Sequence, residues 1–200
     1  MKEYSEIIIC ADEFMHQNLS PHRALHIQGV AIESRRLAVR YGVDPRKAYL
    51  AGYLHDCAKG FTRDENIRYI TKYDIDISEE ELSIGNALIH SKVGAYFARE
   101  YFEVVDEDIF NAIYYHTVGR PGMSDLEKIV YVADFIEPQR DQKSMVPLNV
   151  LRELSYMDLN RAVCEVTRCC YYYLKDNNSG FVSPDTKKTY DYYIQYHTEN

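Results

Sequence analysis

His55 and Asp56 stand side by side within an otherwise apolar run from Ala48 to Ala58. An imidazole and a carboxylate in such a setting are costly to bury unless something positive, or a metal, satisfies them. Adjacent side chains diverge around a helix, so both reach one point only from different angles. A metal ion would be such a point, and a plain His–Asp hydrogen bond is the alternative. Asp134 raises the same question, because it lies at i+4 from Val130 and i+8 from Leu126 and so continues an apolar helical stripe. A carboxylate there is either paired or bound to a metal. His26, His90 and His116 supply further imidazoles, each of which alone reads as an ordinary core or surface histidine. His22 and His26 have the i, i+4 spacing of a zinc-type pair, but no HExxH surrounds them. His16 and His197 read as surface residues.

Composition narrows the partners. The 200 residues carry a formal charge of −8 and no basic run, which argues against a nucleic-acid polymer. A small anionic substrate remains compatible with a locally positive pocket. Trp is absent, while nineteen Tyr and seven Phe provide packing area. The five cysteines are odd in number and lack CxxC pairs, so reduced and mostly buried thiols are expected. The start, MKEYSEIIICADEF, does not read as a signal peptide, and no apolar run reaches membrane-spanning length. The expectation is a cytoplasmic protein with no membrane partner.

Nearly every segment that must position these residues reads as helix, and the expectation is one all-α domain over 1–200. A first helix covers about Lys2 to Met15, and Ser20-Pro21 opens a second that stops near Gly42. Asp44-Pro45 starts the helix bearing His55, with Gly60 as its stop. Thr62-x-x-Glu65, Ser78-x-x-Glu81 and Ser124-x-x-Glu127 are capping boxes for three more. A helix over His90 to Phe102 places His90 at its start, and another over Glu107 to His116 ends at His116. The stretch Thr117 to Met123 is too rich in Gly and Pro to be helical. Residues 139–157 read as a loose connection. Asp158 opens a helix to about Lys175, Asn177 to Gly180 breaks it, and Ser183-Pro184 starts a last, Tyr-rich one. That last helix is read as core packing, with a homodimer face as the other use of its tyrosines.

In order, the candidates are His26, His55-Asp56, His90, His116 and Asp134. The chain resembles the HD superfamily of metal-dependent phosphohydrolases, and within it the YqeK family of symmetrical bis(5′-nucleosyl)-tetraphosphatases. The resemblance rests on Arg23-x-x-His26-x-x-Gly29-Val30, on Leu50-Ala51-Gly52-Tyr53-Leu54-His55-Asp56-Cys57-Ala58-Lys59 and on His90-Ser91-Lys92-Val93-Gly94-Ala95-Tyr96. It also rests on the run from His116 through Arg120, Leu126 and Asp134 to Asp141. A lone His-Asp is weak, whereas the run from His116 to Arg140 is specific. Lys92 departs from the pattern, where Pro is the more frequent residue, and the seven residues after Arg140 are less familiar.

The resemblance implies a helical HD bundle with a dinuclear site in its core. His26, His55, Asp56 and Asp134 would hold one metal, and Asp56 would bridge to a second held by His90 and His116. Iron is the implied occupant of both positions; ligand types alone leave manganese, cobalt or zinc open. The implied reaction is hydrolysis of diadenosine tetraphosphate to two ADP, with His55, Asp56 and Lys59 as catalytic residues. Lys59, Arg120 and Arg140 are the candidate phosphate contacts, and Gly119 and Gly122 either let their loop approach phosphate or ribose or simply make the turn. The bland reading of the three cations is solvated surface charge. Other readings of the same residues are hydrolysis of other nucleotides, a di-iron oxygenase, and a helical binding module with a purely structural polar cluster.

Overall fold

The computed structural model describes residues 3–141, 144–177 and 181–197. Among them are eleven α-helices and no strand. In order they are α1 (Tyr4–Asn18), α2 (Pro21–Tyr41), α3 (Pro45–Leu54), α4 (Arg63–Tyr73), α5 (Glu79–Ile84) and α6 (Asn86–Tyr101). They continue with α7 (Glu107–Tyr115), α8 (Asp125–Ile136), α9 (Leu148–Met157), α10 (Leu159–Asn177) and α11 (Pro184–Tyr193), followed by a short 3-10 turn at Ile194–Tyr196. No helix among the described residues is long and apolar enough to cross a membrane.

The caps set the boundaries where the sequence signals them. Ser20 accepts from the Arg23 amide ahead of Pro21, and Gly42 closes α2 in the left-handed region. The three capping boxes at Thr62, Ser78 and Ser124 all form. Long α2 lies between α3 and α8, while α7 packs on α3, α6 and α8. Val30, Leu37, Leu54, Ile113, Ile129 and Val130 fill the space between them with essentially no exposure. These helices, with α6 beside α7, frame the polar cluster.

Three boundaries differ from the expectation. The helix bearing His55 ends at Leu54, and residues 55–60 are successive turns. Their backbone bonds span three residues, from Cys57 to Leu54 and from Lys59 to Asp56. His55, Asp56 and Lys59 therefore sit on a tightly wound turn and not on the helix. Helix α6 begins at Asn86, so His90 lies one turn inside it. Lys92 is consequently buried within α6, where it donates to the Asp76 carbonyl and the Asp185 carboxylate, both at 3.1 Å. Residues 148–157, within the stretch expected to be loose, form α9. Leu151 is fully buried and Arg152 donates to the carbonyls of Ile136, Glu137 and Arg140. That helix owes its stability to tertiary packing more than to any cap signal, which is why local reading passes over it. The break expected at Asn177–Gly180 falls, at 178–180, outside the described residues.

The last helix packs as expected, with Tyr193 buried and its hydroxyl oxygen accepting from the Met123 amide at 3.0 Å. All five cysteines are free. Arg152 is the residue that closes the end of α8, because its guanidinium bonds three main-chain carbonyls there. Arg152→Ala is expected to lower the unfolding free energy by about 2 kcal/mol in urea titration, the scale of charged hydrogen bonds lost from partly buried acceptors. A loss below roughly 0.5 kcal/mol would show that those carbonyls do not depend on it.

Candidate metal centre

Four imidazoles and two carboxylates meet where α2, the turn after α3, α6, the end of α7 and α8 converge. His26, His55, His90 and His116 are all buried, as is Asp56, while a quarter of the Asp134 side chain remains open. Each ring is held by its Nδ1 nitrogen. His55 donates to the Gly52 carbonyl, His90 to the Asn86 carbonyl and His116 to the Ile113 carbonyl, each at 2.7 Å. A carbonyl can only accept, so these three rings carry their proton on Nδ1 and turn a bare Nε2 toward the centre. His26 Nδ1 lies 3.2 Å from Glu137 Oε1, which fixes it the same way.

Asp56 stands between two pairs of imidazoles. Its Oδ2 is 3.5 Å from His55 Nε2 and 3.9 Å from His26 Nε2, whereas its Oδ1 is 3.1 Å from His90 Nε2 and 3.8 Å from His116 Nε2. Asp134 Oδ1 closes the first group at 3.0 Å from His26 Nε2 and 3.7 Å from His55 Nε2. The donor atoms of His26, His55 and Asp134 lie within 4.8 Å of one another, and those of His55, Asp56 and His116 do likewise.

The donor set fits divalent cations. The Nε2 atoms of His26 and His55 are buried and have no hydrogen-bond partner. The Nε2 atoms of His90 and His116 face each other at 3.1 Å, two lone pairs that repel unless a cation or a shared proton lies near them. All six candidate ligands named from the sequence thus come to one place, with imidazole and carboxylate donors and no thiol among them.

The HD-domain family profile matches residues 23–138 of this chain, a span that contains all six of those residues. The chain belongs to the HD-domain family. Two relatives are proteins named bis(5′-nucleosyl)-tetraphosphatase, symmetrical. The one from Bacillus subtilis (strain 168) is 38% identical over 89% of this chain and 92% of its own length. The one from Halalkalibacterium halodurans is 37% identical over 90% of this chain and 92% of its own length. A crystal structure from Clostridium acetobutylicum, of a predicted HD superfamily hydrolase involved in NAD metabolism, superposes with a TM-score of 0.87 at 34% identity and covers 98% of both chains.

Around the HD cluster lies a cavity of about 180 Å³ whose rim carries Arg23, Lys59, Thr117 and Arg140. Arg23 bonds Asp56 Oδ2 at 2.7 Å, and Lys59 Nζ is 3.9 Å from Asp56 Oδ1 and 3.2 Å from His90 Nε2. Arg140 bonds Asp134 Oδ1 at 2.8 Å. Two residues expected at the phosphate are placed elsewhere. Arg120 is absent from the cavity lining; it pairs with buried Glu127 at 2.8 Å and lies over the Tyr115 ring. Gly119 has φ +67, and a Cβ there would sit 2.6 Å from Thr189 Cγ2, so its lack of a side chain serves the approach of α11. Arg120 and Gly119 fasten the loop after α7 to its neighbours.

Two residues escaped the sequence reading. Arg23 is in the quoted motif but carries no signal of its own, and only the fold sets the first turn of α2 over Asp56. Glu137 is buried and holds His26, and its position depends on Gly29, where a Cβ would come within 2.5 Å of Glu137 Oε2. The pair Gly29 and Glu137, 108 positions apart, has no local pattern that sequence spacing reveals.

The electrostatics divide the group. Burial, opposed by the Asp56 side chain and reinforced by His55 and His90, depresses the His116 pKa to about 4, and burial also lowers that of His90. His55 is equally buried, yet the Asp56 carboxylate beside it wins and raises its pKa. Burial would raise the Asp56 and Asp134 pKa values, but the surrounding imidazoles, with Arg140 beside Asp134, hold both well below the usual carboxylate range. Burial also lowers the Lys59 pKa, against the attraction of Asp56 and Asp134.

Outer partners of metal-bound histidines commonly govern affinity about 10- to 100-fold. Glu137→Ala is accordingly expected to weaken metal binding by a factor in that range in a chelator competition, while far-ultraviolet circular dichroism stays unchanged. Protonation gives a second expectation for metal-free protein. The His116 pKa is about 4 when folded and about 6.5 in an unfolded chain. The unfolded state therefore takes up this proton first, and stability is lost as pH falls through that interval. His116→Gln should flatten the corresponding part of a plot of urea midpoint against pH; an unchanged slope would assign the descent to other groups.

Proposed function

We propose that this chain is a metal-dependent hydrolase that cleaves diadenosine tetraphosphate symmetrically into two ADP. The observation that carries the reading is the division of Asp56 between two imidazole pairs beneath a cationic rim, in a fold shared with proteins named for that activity. His26, His55, Asp56 and Asp134 are the residues for one divalent ion, and Asp56, His90 and His116 for a second. Iron is the proposed occupant, in keeping with a set of four imidazoles and two carboxylates, although manganese, cobalt and zinc suit the same donors.

Bound ions would supply Lewis acidity and a water of lowered pKa. The chain's own residues do the rest. His26, His55, His90 and His116 are locked as Nδ1–H tautomers by their carbonyl and carboxylate partners, so no ligand must reorient. Arg23, Lys59 and Arg140 line the side of the cavity where phosphoryl oxygens would lie, and their charge offsets that of the polyphosphate. Water adds to one of the two central phosphorus atoms as the bond from that phosphorus to the central bridging oxygen breaks. The bridging oxygen leaves with the other ADP. Diphosphate is a good leaving group, which suits a site with no carboxylic acid poised as a proton donor. The anionic substrate enters a chain of net charge −8 through this local patch of positive charge.

Chromatography of the products formed from diadenosine tetraphosphate by metal-reconstituted protein tests the reading. ADP alone is expected, and AMP with ATP would sink symmetrical cleavage. Asp56→Asn should retain the helical spectrum, lose bound metal and reduce kcat/KM by about 1,000-fold or more, equivalent to roughly 4 kcal/mol of barrier. Retention of turnover with that substitution would remove Asp56 from the centre of the mechanism.

A further inference from the structure

Phe135, at the end of α8, and Cys170, on α10, are walls common to two cavities. One is the cavity over Asp56. The other is a groove of about 520 Å³ whose further lining includes Met145, Tyr172, Tyr173 and Asp176. Sites that enclose small organic ligands commonly have volumes of about 300–1,000 Å³. The groove falls in that range, while the cavity over the metal centre, at about 180 Å³, suits a phosphate group.

The chemistry differs between the two. Arg23, Lys59 and Arg140 line the first cavity, whereas among the described residues the groove carries no cation and is lined mainly by Phe135, Met145, Tyr172, Tyr173 and two cysteines, with Asp176 as its one charged residue. A nucleotide has the same order, with charge at one end and a flat ring at the other. The aromatic residues of the groove also differ in how they are held. Tyr172 lies edge-on to Tyr171 and Tyr190, and its hydroxyl is 3.3 Å from that of Tyr190. Tyr173 is 63% exposed, and neither it nor Phe135 packs on another aromatic ring among the described residues. An exposed tyrosine with a free ring face, in a groove that shares two walls with the metal cavity, is a platform on which a base stacks.

We propose that this groove is the subsite for one nucleobase of the dinucleoside polyphosphate, with the Tyr173 ring stacked on the base and Phe135 flanking the sugar. The assignment rests on the hydrolase reading above. It accounts for how a substrate with two long arms is oriented by a small metal cavity: one base anchors α10 while its phosphates lie over Asp56. The Asp176 carboxylate in the groove lining is the acceptor for an exocyclic amine, which favours amino-substituted bases over those that present only carbonyls.

The absence of tryptophan gives a direct test, because in Tyr173→Trp the indole fluorescence reports on this position alone. Metal-reconstituted Tyr173→Trp should show a saturable fluorescence change with ADP and none with inorganic pyrophosphate, which lacks a base. In Tyr173→Ala the KM for diadenosine tetraphosphate should rise about tenfold with kcat little changed, as expected for loss of a stacked base. An indole signal indifferent to ADP, or a KM unaffected by Tyr173→Ala, would overturn the groove assignment while leaving the hydrolase reading intact. If the wild-type protein spares diadenosine tetraphosphate, the hydrolase reading fails by itself, and the ADP titration still decides the groove.

Discussion

A carboxylate with 2% exposure must find its partners inside the protein, and Asp56 draws them from every side. Arg23 reaches it from α2, His90 from α6 and His116 from the end of α7, with His55 and Lys59 on its own turn. Leaving such a group unpaired costs several kcal/mol, more than most single substitutions in a core. The helices therefore have to deliver their polar residues to one point, and the apolar core of α2, α3, α7 and α8 is arranged around that point. This convergence creates a strained inventory of facing lone pairs that divalent cations relieve.

One local device recurs around the cluster. His55 and His116 each occupy the residue just after a helix, where the last carbonyls lack intrahelical donors. Each ring turns back to bond the carbonyl three residues earlier, capping its helix and fixing its own tautomer in a single contact. His90, inside α6, fixes its tautomer on the carbonyl four residues back without capping a helix end. His26 takes a side-chain partner instead. It relies on Glu137, which needs the space left by Gly29 and the closure of α8 that Arg152 provides. The metal centre thus extends outward through a second layer that reaches as far as α9.

Charge is organised on the same local scale. The chain as a whole is acidic, yet Arg23, Lys59 and Arg140 concentrate positive charge at one cavity rim. Arg120, next in sequence to the same region, spends its charge on buried Glu127 instead. Arg120 follows Gly119, whose positive φ and missing Cβ let this loop lie close to Thr189 of α11.

The amino-acid sequence by itself determined the residue types of the site, the all-helical class and most helix starts. Those features are written locally, in capping boxes, in Pro after Ser or Asp, and in polar residues that interrupt apolar stripes. It also carried the family pattern from His116 to Arg140, where a short run contains many characteristic residues. What the tertiary structure alone decided is where cations and supports fall. The end of α3 at Leu54, the helicity of 148–157, the reach of Arg23 to Asp56 and the fit of Glu137 against Gly29 all depend on packing between segments distant in sequence. Helical periodicity specifies which face of an element turns inward, but not which neighbour it will meet there. His55-Asp56 was legible as a pair in need of a partner, and the fold chose the partners.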